Sequence, residues 1–465
     1  MTRGLPVLLV CLACGAPPVV LPDGGFVDDE PADAGGARPD GGLELPDAGP
    51  VDAGARDAGT TPLDAGAPVD GGLVIYPFGL THSPLTAQLV RELSTIAGRS
   101  PRNAASFMKV GDSNTVNTNF LSCFAGANVD LGGRAALQPT IDAFKATRLE
   151  GATPFDRVSR SAIVGWSAGA ALSGTPPPVE QELAGTNARF ATVMFGTNDI
   201  QSMNLDAYAR NLFALVDLLV SRGVVPVVTA IPPRDDSFDA DRQVPLYNAV
   251  ARALAQSRGV PFVDLERELR ALPNHGIGSD GLHLNVLLQG GFGRGCVLSS
   301  AGLQFGHNRR NLVTLEALGR ARDAVVSGVA ADSTAAVRRG TGLPGDPLVI
   351  DSVPFVDVRD TRRDGARGID RYDACSAANE GGPEVLYRLD VTTTQTLRVV
   401  VVSLGTADLD VHVLRSSAAA SACVARNDKV LRATVTPGTW YLSVDTYVSA
   451  GTERAGEYAL LVFPE

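Results

Sequence analysis

Apolar positions repeat with two different periods along this chain, and the period changes near Gly345. Before that point, helix-period runs alternate with short continuous apolar runs. Leu85, Leu89, Leu93 and Ile96 lie three or four apart, predicting a helix that opens at Ser83-Pro84 and stops near Gly98. The same spacing predicts helices over Leu205–Val220, Val244–Ser257 and roughly Asn308–Val326, the first two followed by Gly223 and Gly259 as stops. Between them, Ala104–Val110, Ala162-Ile163-Val164, Phe190–Phe195, Val224–Ile231 and Val260–Val263 read as strands. Strands apolar at nearly every position are strands buried on both faces. Alternating with helices, they predict a doubly wound parallel sheet of the α/β class.

After Gly345 the runs become short and β-like: Glu384–Val391, Thr396–Leu404, Asp410–Leu414, Arg432–Val435, Thr439–Val444 and Glu457–Phe463. Turn signals such as Pro437-Gly438 separate several of them, which predicts a small all-β sandwich.

The first 72 residues fit neither pattern. Arg3 precedes an apolar run from Leu5 to Ala13, then Cys14-Gly15, the layout of an export signal whose core is too short to span a bilayer. Leu12-Ala13-Cys14 resembles a lipobox, with Cys11 standing where that motif usually has Leu, so Cys14 is the expected lipidation site. Between residues 15 and 72, Asp-Ala-Gly or Asp-Gly-Gly occurs eight times, which predicts a disordered, solvated tether. That tract holds twelve acidic and two basic residues, a net charge of −10 against −11 for the whole chain. The folded remainder is therefore nearly neutral, and the acidic balance says little about its substrate. It carries no basic patch suggesting nucleic acid. The expected organisation is signal 1–14, tether 15–72, α/β domain 73–330, linker 331–350 and sandwich 351–465.

Six cysteines are present. With Cys11 removed and Cys14 lipidated, Cys123, Cys296, Cys375 and Cys423 remain, an even set that permits three pairings in an exported protein. Pairing within each half, Cys123–Cys296 and Cys375–Cys423, is the one expected. No Cys/His cluster has zinc spacing, and neither a metal nor a cofactor is expected. Asp408 and Asp410, with Asp428 or Asp445, form a calcium-like acidic grouping, and they read as solvated turns.

Three short words follow predicted strands or lie in loops: Gly111-Asp112-Ser113, Gly196-Thr197-Asn198-Asp199 and Asp280-Gly281-Leu282-His283. An activated hydroxyl needs a base, a group that orients the base, and donors for the oxyanion that forms. Ser113, His283, Asp280 and Asn198 supply these in turn. Ser113 and Gly165 also follow predicted strands, where active residues of open α/β sheets gather.

These words resemble the SGNH (GDSL-type) hydrolase family over about Val74 to Ala330. The resemblance implies Ser113 as nucleophile, Asp280 and His283 as its acid and base, and an oxyanion hole from Ser113, Gly165 and Asn198. Asp199 is implied as structural. Asn114 departs from the Leu many members carry. In the last 95 residues or so, DLDVHVL, PGTWYLSVD and GEYALLV are similar to bacterial pre-peptidase C-terminal domains. The implied activity is a serine esterase cleaving carboxylic esters, with O-acetyl groups of polysaccharide as one substrate class, lipid-anchored to the cell envelope. Acyl transfer by the same residues, or non-catalytic envelope or carbohydrate binding, are the alternatives. A rival nucleophile is Ser167 in Gly165-Trp166-Ser167-Ala168-Gly169, a literal G-x-S-x-G. His82, His275, His307 and His412 lack any comparable setting.

Overall fold

The computed structural model describes residues 72–372, 374–375 and 379–465. The signal, Cys14 and nearly all of the Asp/Ala/Gly tract lie outside them. Helix α1 (Ala87–Gly98) leads into strand β1 (Asn103–Gly111), followed at once by the one-turn helix α2 (Ser113–Val116). Helices α3 (Gln138–Lys145) and α4 (Pro178–Thr186) precede β2 (Ala188–Met194). Next come α5 (Leu205–Ser221), β3 (Val225–Thr229), α6 (Phe238–Asp241), α7 (Val244–Ser257), the two-residue β4 (Phe262–Val263) and α8 (Leu265–Arg270). A small hairpin, β5 (Leu288–Gln289) and β6 (Phe292–Gly293), and the long α9 (Gly306–Ser327) complete this half.

The four strands pair in parallel in the order β1-β2-β3-β4. The stretch 162–164, expected to be a strand, is reduced to one parallel bridge from Ala162 to Gly111 on the outer side of β1. Ile163 and Val164, 44% and 66% exposed, turn away there into a loop. Counting that segment, the sheet runs 2-1-3-4-5 in chain order, a doubly wound arrangement with its switch point beside β1. β1 ends and α2 begins at that switch point, so the fold sets Gly111-Asp112-Ser113 where ligands of such sheets bind.

The second half is a sandwich, as expected. Its elements are β7 (Leu348–Val349), β8 (Phe355–Asp360), the short helix α10 (Thr361–Asp364), β9 (Val385–Val391), β10 (Gln395–Ser403), β11 (Leu409–Arg415), β12 (Cys423–Asn427), β13 (Val430–Val435), β14 (Gly438–Thr446), the hairpin β15 (Val448–Ser449) and β16 (Thr452–Glu453), and β17 (Glu457–Pro464). One sheet runs β13-β10-β17-β8 and the other β12-β11-β14-β9-β7, antiparallel except for β7 against β9. Cys123 is bonded to Cys296 and Cys375 to Cys423.

Strands β10, β17 and β8 of the first sheet are buried on both faces over much of their length. Val399, Val401, Leu460, Val462 and Phe355 point into the sandwich core. Their neighbours Val400, Val402, Ala459, Leu461, Val356 and Val358 instead join the core of the α/β half. Because strand side chains alternate between faces, a sheet covered on both sides must be apolar at successive positions. The runs Val399–Val402 and Ala459–Val462 satisfy that. Polar contacts fix the same junction: Arg258 pairs with Asp217 and Glu457, both at 2.7 Å, and Lys429 with Asp206. Residues 331–350, read as a linker, are tied down at several points: Val337 bridges Val74, Arg338 N–H donates to the Leu73 carbonyl, and Leu348 is fully buried.

Candidate active site

Ser113 is the first residue of α2, and Asp112 caps that turn by accepting the Asn114 N–H at 3.0 Å. Gly111 admits no side chain, since a Cβ would lie 2.3 Å from Thr115 Oγ1 and 2.8 Å from the Met194 carbonyl. The word therefore makes a tight strand-to-helix corner that presents the Ser113 hydroxyl at the sheet's carboxyl edge.

His283 approaches from the other side. Its Nε2 lies 2.9 Å from Ser113 Oγ and its Nδ1 2.6 Å from Asp280 Oδ2. The second Asp280 oxygen accepts the backbone N–H groups of Leu282 and His283, each at 3.0 Å. Against the raising effect of its partial burial, those two N–H donors and the imidazole hold the Asp280 carboxyl down at about 2. Ionised at any working pH, it fixes Nδ1 as the protonated nitrogen and leaves Nε2 free to accept from the serine. Gly281 is required in this loop: at φ +71° its Cβ would sit 2.6 Å from the Asp236 nitrogen. The site is open, with His283 36% and Asp280 53% exposed.

The Gly-Thr-Asn-Asp word follows β2. Asn198 Nδ2 donates to the Trp166 carbonyl at 2.9 Å, and both Asp199 oxygens accept the Ala168 N–H, at 3.1 and 3.3 Å. Both side chains therefore clamp the loop that carries Gly165. Asn198 retains a second amide hydrogen for an oxyanion. Gly165 occupies an exposed turn at φ +79° where a Cβ would meet open space, so backbone conformation, not crowding, calls for glycine.

Below the triad lies a buried polar floor, which the motif words do not include. Arg310 of α9 is fully buried, donates to the Asn114 carbonyl at 2.7 Å and to Thr115 Oγ1 at 3.0 Å, and stacks 3.7 Å over Phe120. Asn114 Oδ1 accepts the Leu284 N–H at 3.1 Å, tying the Ser113 turn directly to the His283 loop. Burial pushes Asp112 up to about 6, with Arg310 opposing, and burial likewise pushes Asp199 up to about 6. Arg234 is a further brace: its guanidinium holds Asp236 at 2.7 and 2.8 Å and donates to the Thr197 carbonyl, while the Asp236 N–H donates to Gly281 at 3.0 Å.

The structure thus joins Ser113, Asp280 and His283 into one hydrogen-bonded chain and links Asn198 to the Gly165 loop. Ser167 lies on that loop as the N-cap of a short turn, and among the described residues no histidine is hydrogen-bonded to its hydroxyl. His283 is engaged with Ser113 instead. His275 pairs with Asp235 at 2.9 Å, and His307 is completely buried near the floor.

A hydroxyl, imidazole and carboxylate joined in sequence at the carboxyl edge of a parallel sheet define a hydrolase site. More narrowly, residues 110–288 match the model of the GDSL-like Lipase/Acylhydrolase family, and the protein is an ester-bond hydrolase. Among solved structures, a GDSL-like lipase from Bacteroides thetaiotaomicron is similar over 50% of this chain and 98% of its own, at 15% identity and TM-score 0.32. An acetylxylan esterase from Geobacillus stearothermophilus is similar over 47% of this chain and 95% of its own, at 16% identity and TM-score 0.30. The pre-peptidase C-terminal domain of a Bacillus anthracis collagenase is similar over 23% of this chain and 88% of its own, at 14% identity and TM-score 0.16. No curated protein matches the chain significantly.

Proposed function

We propose that the protein is a serine esterase working through an acyl-enzyme. His283 Nε2 takes the Ser113 proton as Oγ attacks the ester carbonyl. The Ser113 and Gly165 N–H groups and the free amide hydrogen of Asn198 receive the oxyanion. Collapse expels the alcohol, which leaves with the proton from His283, and water activated by the same imidazole releases the acid. The observation that carries this reading is the chain Ser113 Oγ–His283 Nε2–Asp280 at 2.9 and 2.6 Å.

The substrate class proposed is acyl esters on a bulky carrier, O-acetylated polysaccharide in the first place. The exposure of His283 and Asp280 supports it, because an open triad admits an ester that protrudes from a polymer. At the other end of the chain, Leu12-Ala13-Cys14 and the tract behind it support a lipid anchor at Cys14 with residues 15–72 as a tether. For a glycine-rich coil of that length the average reach is about 40 Å. Export to the envelope is part of the same reading.

The test is a panel of esters of increasing acyl length beside acetylated polysaccharide, run on the wild type and on Ser113→Ala. Activity greatest on acetyl esters, and lost in the variant, supports the proposal. A preference for long acyl chains overturns the substrate class, and full activity in Ser113→Ala overturns the mechanism. Membrane partitioning that survives Cys14→Ser contradicts the anchor.

A further inference from the structure

The spacing of residues offers the sandwich half no metal motif, but the fold gathers three ligand-type side chains there. Asp410 and His412 are alternate residues of β11 and so share one face. It is not the core face, to which Val411 and Val413 belong. Tyr372 covers it, stacked on the His412 ring at 3.6 Å. Glu380 approaches the same face, its backbone N–H held by the Asp370 carbonyl at 3.0 Å. Glu380, Asp410 and His412 are 0%, 2% and 0% exposed, and one ligand atom from each lies within 4.8 Å of the others.

Glu380 and Asp410 face each other as a hydrogen-bonded carboxyl pair, whereas His412 Nε2 is buried with no hydrogen bond. Buried polar atoms almost always have partners, so an orphan imidazole nitrogen aimed at two carboxyls calls for a missing one. His412 Nε2 and Glu380 Oε1 are 3.9 Å apart, too far for a hydrogen bond. Two ligands ~2.0–2.1 Å from one tetrahedral ion stand roughly 3.3 Å apart, so a small closure would seat an ion between them. The imidazole plane is already fixed: the Tyr372 hydroxyl that holds the stacked ring donates to Asp445 at 2.6 Å and is 2.8 Å from Ser443 Oγ. Arg426 reaches in, donating to Asp410 Oδ2 at 2.6 Å and standing 3.8 Å from Glu380, which leaves the other Asp410 oxygen for an ion.

We propose that Glu380, Asp410 and His412 bind one first-row transition-metal dication, zinc in the first place, with water completing the coordination. One imidazole with carboxylates suits zinc or cobalt; calcium and magnesium take six or more oxygens and have no use for the imidazole. Cys375 and Cys423 also flank His412, but their sulfurs are bonded to each other, and Cys423 Sγ faces Nδ1 at 3.9 Å, leaving Nε2 to the carboxylates. The ion would tie Glu380 to β11.

The experiment titrates the oxidised, chelator-treated protein with Co(II) and then Zn(II), reading visible absorption, bound metal per chain and thermal unfolding. Cobalt bands saturating at one equivalent, their loss on adding zinc, and a Tm that rises with metal by several degrees are expected. Glu380→Gln and His412→Gln should abolish the bands and the shift. Should either variant fail to fold, the wild type alone decides. No cobalt band and no Tm change at ~1 mM metal would overturn the site. So would stabilisation by calcium alone, or binding that appears only after reduction and disappears in Cys423→Ser.

Discussion

The rim and the floor of the esterase site use the same residue types to opposite ends. On the rim, Asp280 is half exposed, every oxygen is hydrogen-bonded, and its carboxyl is held at about 2. On the floor, Asp112 is fully buried, and burial pushes it up to about 6. The contrast teaches that position relative to solvent, not residue type, decides what each aspartate does. The rim carboxylate stays charged and orients the imidazole that, in the proposed mechanism, moves protons. The floor carboxylate caps a turn and, with Arg310 and Asn114, fixes where the hydroxyl stands.

Substitutions on the rim should therefore strike turnover, and those on the floor should strike stability. The largest effect is predicted for His283→Ala, which should lower kcat/KM by on the order of 10⁴-fold or more, nearly as much as Ser113→Ala, the double variant being little worse. Asp280→Asn should cost less than the ~10⁴-fold known for a buried triad aspartate, because water can reach Nδ1 here. Steady-state kinetics on one ester decide both, and a His283→Ala enzyme within tenfold of wild type would dissolve the distinction between rim and floor.

Next in size is Asn198→Ala, predicted to lower kcat by ~10²–10³-fold with KM little changed, since an oxyanion donor acts mainly in the transition state. A change confined to KM would return Asn198 to a purely bracing role through Trp166.

The smallest effect belongs to the floor. The folded pKa of Asp112, about 6, lies above an unfolded value of ~3.9, so the native state binds this proton more tightly. Its contribution to stability is complete below about pH 4 and is lost as pH rises through about 6, amounting to roughly 2–3 kcal/mol. Asp112→Asn keeps the cap but cannot ionise. Urea unfolding should show the variant gaining on wild type between pH 4.5 and 7, and a pH-independent difference would contradict the assignment.

The rim was legible in the sequence because its residues come in short words whose members are also neighbours in space, as Asp280 and His283 are. The floor was not. Arg310 meets Asn114 across 196 residues of chain, and nothing local marks an arginine on a buried helix face as a brace. Asn114, visible only as a departure from Leu, turns out to be the acceptor for Leu284. The parallel sheet followed from alternation, but Ala162-Ile163-Val164 makes only a single bridge, because apolar side chains at a sheet edge also line exposed loops. β8 was missed because its charged residues disguise it: Asp357 is fully buried, held by Arg359 at 2.8 Å. The runs Val399–Val402 and Ala459–Val462 did carry a signal, since a sandwich sheet with one wet face alternates and these do not.

The central claim is that Ser113, not Ser167, carries the acyl group. Treating the folded protein with a fluorophosphonate and mapping the modified peptide by mass spectrometry tests it directly. The account predicts a single adduct on Ser113 that disappears in His283→Ala; an adduct on Ser167 would contradict it.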